Sequence, residues 1–116
     1  MISVYNATPR VIQEYVPGKQ VTLCHLIAHP DIKLSEKLGL LKDTPIGIMT
    51  ITPSEAAIIA ADCTLKEAEV DIVFVDRFTG SLVITGPVSA VEVALREANM
   101  YLANSLGFQM ALLTKS

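Results

Sequence analysis

The chain has 116 residues, 51% of them apolar, with no Trp and only three Tyr and three Phe, so one domain with a core of Ile, Val, Leu and Ala is expected. A formal net charge of −3, with lysines scattered and not clustered, excludes the basic stripe that a nucleic-acid partner requires. The longest apolar run, Ala56 to Ala61, stops at Asp62, far short of the ~20 residues that span a bilayer, so no membrane partner is expected.

Residues 1–9 are loosely specified, and Arg10 to Tyr15 reads as a strand ended by Pro17-Gly18. Lys19 to Ile27 is a second strand, rich in Val, Thr, Leu and Ile. Leu34, Leu38 and Leu41 repeat at helical spacing in a short helix that Gly39 stops. Ile46 to Ile51 is a buried strand. Thr52-Pro53-Ser54-Glu55 then predicts a capped helix start, with Thr52 as cap, Pro53 in the first turn and Glu55 closing a capping box. That helix runs to about Lys66, and Ala56, Ala57, Ala60 and Ala61 allow close approach along it.

Val70 to Val75 and Ser81 to Thr85 form a hairpin through Asp76-Arg77-Phe78-Thr79-Gly80, with Gly80 supplying positive φ. Gly86-Pro87 starts a long helix with Val88, Val91, Leu95, Ala98 and Leu102 on one face, and Ser89 and Glu92 offer a second capping box. Gly107 ends it, and Phe108 to Leu113 is a final strand. Together these predict an α/β sandwich, with helices packed on a mostly antiparallel sheet.

No catalytic, cofactor-binding or metal-ligating set emerges, and no enzyme activity is expected. His25 and His29 are four apart, but they straddle a strand end before Pro30 and no third ligand accompanies them. Cys24 and His25 are neighbours on a strand and point to opposite faces, so they form no thiolate–imidazole pair. Cys24 and Cys63 lack CxxC spacing. With no basic-then-apolar leader, a reducing cytoplasm is the expected compartment. An apolar surplus in so short a chain points to an oligomer, because obligate interfaces resemble a core cut in half.

Several segments carry a family resemblance. Val11 to Leu23, His25 to Pro30, Ile46 to Ala56, Asp76 to Gly80 and Val88 to Glu92 resemble, in order and spacing, the propanediol- and ethanolamine-utilization shell proteins with a circularly permuted bacterial microcompartment (BMC) domain. The propanediol type is the nearest, and a choline-type or other glycyl-radical compartment is left open. The resemblance implies a ferredoxin-like permuted BMC fold at residues 17–116 behind an N-terminal extension at residues 1–16. It implies a homo-hexameric tile that packs with other shell proteins in the wall of a microcompartment, within the cytoplasm. It also implies that Arg10, Val11, Ile12, Gln13, Glu14 and Tyr15 contribute one strand to a parallel β-barrel over the hexamer centre, and that Arg77, Phe78, Thr79 and Gly80 form the rim of the pore. A barrel-capped centre suggests docking of cargo-enzyme tail peptides. The chain departs from its relatives at Thr44-Pro45, where proline replaces a more flexible stretch and restricts bending of the disc. The rival expectation is an oligomeric regulatory domain that binds a small molecule between subunits.

Overall fold

The computed structural model describes residues 18–116. The strand expected over Arg10–Tyr15, and with it the division of the chain after residue 16, lies outside the described residues. Five strands and three helices follow in the order β1 (Gln20–Ile27), α1 (Ile32–Lys37), β2 (Ile46–Thr52), α2 (Ala56–Glu67), β3 (Asp71–Asp76), β4 (Ser81–Thr85), α3 (Val88–Leu106) and β5 (Leu113–Lys115).

One sheet, ordered β3-β4-β2-β1-β5, carries the fold. Its pairs are antiparallel except for β1 with β5. The segment β2-α2-β3-β4-α3 is most of a split β-α-β unit, whose last strand would normally follow α3 and lie beside β2. Here β1 occupies that place from the other end of the chain. The strand that does follow α3, β5, is displaced to the outer edge and runs parallel to β1. The permutation is thus visible in the strand order itself.

Strand alternation, shifted in β1 by a bulge between Val21 and Leu23, sends Val21, Cys24 and Leu26 of β1, Met49 and Ile51 of β2, and Leu82 and Ile84 of β4 into a core under α2 and α3. The two helices lie side by side on this face, through Ala56, Ala60 and Ala61 of α2 and Val91, Ala94, Leu95, Ala98 and Leu102 of α3. Leu95 and Leu102 are fully buried, each contributing about 1.5–3 kcal/mol. Val88, expected on the same stripe, is instead 45% exposed, because it stands at the first position of α3, ahead of the contact. α1 contributes no residue to this core; Ser35 is its one buried position.

Helix boundaries differ from the sequence expectation in a consistent way. Thr52 is the last residue of β2, paired with Gln20, so its backbone belongs to the sheet and its side chain caps nothing. The start of α2 is closed by backbone alone. Ala56, Ala57 and Ile58 N–H donate to the carbonyls of Pro53, Ser54 and Glu55, and Glu55 makes no capping bond. Ser89 and Glu92 likewise form no box. Pro87 holds the cap position, its carbonyl accepts from Val91 N–H, and Glu92 is engaged by Arg96 and Lys115. Gly107 does end α3, in the left-handed region at φ 75°.

The final strand is shorter and later than Phe108–Leu113. Gln109 forms one parallel bridge to Gln20, the chain then leaves β1, and pairing resumes at Leu113 opposite Cys24. The cause is Asn99 of α3. Its side-chain amide donates to Ala111 O at 2.7 Å and accepts from Ala111 N–H at 3.3 Å, doing for that residue what a neighbouring strand would do.

Gly47 sets the spacing of helix and sheet. A Cβ there would stand 2.7 Å from Val91 Cγ1, 2.9 Å from Ile84 Cγ1 and 3.2 Å from Leu95 Cδ1. Gly47→Val is therefore expected to cost about 1–3 kcal/mol by overpacking. Denaturant midpoints at one fixed protein concentration check this, and a variant as stable as the parent would show that α3 is not held this closely.

Candidate functional site

The β3–β4 turn, singled out in the sequence as a rim, is built by a set of backbone constraints. Asp76 Oδ1 accepts from Phe78 N–H at 2.8 Å and from Thr79 N–H at 3.4 Å, and Asp76 O accepts from Gly80 N–H at 2.9 Å. Gly80 adopts φ 79°, where only glycine rests without strain. Its carbonyl accepts from Ile51 N–H at 2.9 Å, and a Cβ at this position would meet Ile51 O at 2.2 Å. The tip of the turn is thus fastened to the end of β2.

Of the four residues expected at the rim, Arg77, Phe78 and Thr79 are exposed and Gly80 is buried, so three present the turn and one anchors it. Phe78 is 80% exposed. The Arg77 guanidinium carbon lies 4.9 Å from the centre of the Phe78 ring, a cation–π stack. Thr79 Oγ1 donates to Ser81 Oγ at 3.0 Å. The other expected set, Arg10 to Tyr15, lies outside the described residues.

Beside the turn is a cleft of about 280 Å³, lined by Ile58, Val75, Asp76, Arg77 and Phe78. Neither Ile58 nor Val75 is among the site residues expected from the sequence. The available signal was Ile58-Ile59, a bulky pair interrupting an alanine-rich helix, of which Ile58 remains 50% exposed.

The remaining chemistry-bearing side chains are structural. Cys24 is fully buried, and burial pushes its thiol up to about 11. Cys63 is buried in α2, and its thiol is raised by burial first and then by Glu67, Glu97 and Asp62. His25 faces the opposite side of the sheet from Cys24, with Nδ1 2.6 Å from Thr114 Oγ1 and Nε2 2.8 Å from Ser116 Oγ. Both ring nitrogens are occupied in tying β5 and the residue after it to β1. Among the described residues there is no group of three His, Cys, Asp or Glu side chains placed to hold a metal ion, and no helix long and apolar enough to cross a membrane.

A permuted split β-α-β sheet with a glycine-anchored turn at the β3–β4 end defines a class of small α/β domain. Residues 45–111 match the family described as "BMC domain", a span that opens just before β2 and leaves β1 outside, as the strand order requires. The chain is 55% identical over 107 residues to the bacterial microcompartment shell protein EutS of Salmonella typhimurium, covering 92% of this chain and 96% of that one. It is 54% identical over 110 residues to the shell protein PduU of the same organism, covering 94% and 95%. A solved structure described as a CutR flat hexamer superposes with TM-score 0.83 at 50% identity, covering 92% of this chain and 99% of that one. The chain belongs to the BMC domain family, among the bacterial microcompartment shell proteins.

The backbone N–H of Phe78, with further hydrogen bonds from Thr79, holds the Asp76 carboxyl below the ordinary aspartate value. Its folded pKa is lower than its unfolded one, so its stabilising contribution is fully present above the unfolded value, near 3.9, and is lost as pH falls through the folded value. Asp76→Asn is expected to be less stable than the parent at pH 7 and to lose part of the parent's decline toward pH 3. Unfolding midpoints measured across that range test it; parallel pH profiles would mean that the carboxylate does not brace the turn.

Proposed function

We propose that this chain is a structural subunit of a bacterial microcompartment shell, a hexameric tile that takes part in walling off enclosed enzymes and catalyses no reaction itself. The observation that carries this is the superposition, covering 92% of this chain, on one chain of the CutR flat hexamer at 50% identity. The isolated subunit is also left with apolar surface that an assembly would cover: Ile58, Leu65, Phe74 and Tyr101 are each between 44% and 52% exposed. Six turns placed around a common axis would make Arg77, Phe78 and Thr79 the rim of a central opening. Its mechanism is geometric: edges tile, buried faces hold, and the opening admits solutes by size and hydrogen bonding. A small-molecule regulatory domain is not favoured by any of these observations.

Thr44-Pro45 supports a less bent tile. Thr85 Oγ1 donates to Pro45 O at 2.9 Å, and Thr44 Oγ1 donates to Leu41 O at 2.7 Å, so the connection into β2 is braced at both residues. Light scattering of the purified protein should give about six times 12.5 kDa, and negative-stain images of the same sample should show flat discs or sheets. A stable monomer, dimer or trimer that never assembles laterally would overturn the tile.

Residues 1–16 are proposed as a separate extension, with Arg10 to Tyr15 supplying one strand each to a barrel over the opening. Closing six strands into a barrel removes their exposed edges, which is the physical reason for the arrangement. An apolar cap of that kind is a docking point for cargo-enzyme tail peptides. Deletion of residues 1–16 is expected to abolish capture of such peptides by the hexamer, and unchanged capture would argue against the barrel as their site.

A further inference from the structure

A ring with the β3–β4 turns at its centre gives each subunit two flanks, and cyclic symmetry joins one flank of each copy to the other flank of the next. The end strands of the sheet, β3 and β5, mark these flanks, with α2 packed on β3 and α3 on β1 beside β5. The β3 flank is acidic at the end remote from the turn. Glu69 and Asp71 are exposed there, and among the described residues neither joins an ion pair. The β5 flank is basic. Glu92 Oε2 meets Arg96 Nη2 at 2.6 Å and Lys115 Nζ at 3.1 Å, so one carboxylate serves two cations and a net positive charge is left over. The strand register carries Ile72 across the sheet, through Ile84, Gly47 and Leu26, to Lys115. Asp71 is one residue further out, about 3.4 Å along the strand, so the unlike charges stand at nearly the same level on opposite edges. The free edge of β3 also runs Ile72-Val73-Phe74-Val75, with no Lys or Pro to blunt it.

We propose that the β3 flank of each subunit docks on the β5 flank of a second copy, with Glu69 and Asp71 facing Lys115 of the next subunit. The occupant is another copy of this chain because both halves of the contact lie on one subunit, at one level, as a closing ring demands. Exposed charges of this kind add little affinity, but they decide which flank meets which and in what register. Two β3 flanks brought together would oppose acid to acid, so face-to-face pairs are disfavoured. Apolar surface at the same two edges, Phe74 at 44% exposure and Leu112 at 84%, supplies area to hold the joint. This inference rests on the shell subunit proposed above and names the surfaces that join it.

The test is a charge swap in the full-length protein, followed by light scattering through a dilution series. Asp71→Lys and Lys115→Glu are each expected to raise the concentration of half-assembly by about tenfold, and the double variant to return toward the parent. Asp71→Cys combined with Lys115→Cys gives a second measurement that does not depend on stability. A short bismaleimide should join its copies into ladders that reach six, while either cysteine alone yields none beyond the parent. A hexameric parent whose single reversals assemble unchanged, or whose paired cysteines give no ladder, overturns the pairing of flanks and leaves the tile standing. A parent that never forms hexamers overturns the tile and the pairing with it.

Discussion

The rest of the structure depends on one close approach, that of α3 to β2 across Gly47. Val91 and Leu95 come so near the strand that no side chain fits between them. This sets the separation of helix and sheet for the whole domain. Ala94 and Ala98 continue the contact along α3, and the alanine face of α2 meets the same core. A core so thin is made from small residues at the contacts and leucines between them, which explains how a chain with no Trp still buries a continuous interior.

The turn at the other end of β2 depends on the same strand. Gly80 is fastened to Ile51, two residues from Met49 in the core, so the exposed tip is a rigid extension of the sheet and not a free loop. Asp76 completes the arrangement by capping the turn from inside. A side chain such as Arg77 is then held on a scaffold whose position is set by the core, and small displacements of the core would move the turn with it.

Much of this was legible in the sequence. The buried strand over Ile46 to Ile51, the glycines at 80 and 107, and the opposite facing of Cys24 and His25 follow from local rules that the tertiary structure does not override. The misreadings came where a residue had a stronger distant partner. Thr52 caps nothing because Gln20 pairs it into the sheet, Glu92 because Lys115 and Arg96 hold it, and the last strand starts late because Asn99 draws Ala111 away. Each of these competitors lies tens of residues away or on another element, beyond the reach of a local pattern, Arg96 excepted. The cleft was missed for the same reason: Ile58 and Val75 are 17 positions apart and meet only because α2 and β3 pack together.

The state of the two cysteines has a consequence for how any layer of these subunits is joined. They are the only thiols in the chain and both are buried; Cys24, pushed up to about 11, is ionised in roughly one molecule in ten thousand at neutral pH, and burial raises Cys63 as well. Neither offers a ready nucleophile to an oxidant or to a thiol on an adjacent copy. Joints between copies then do not draw on these thiols, so a subunit added in the wrong orientation can leave again. A layer built this way can correct its errors while it grows, which a disulfide-linked one does only by exchange chemistry.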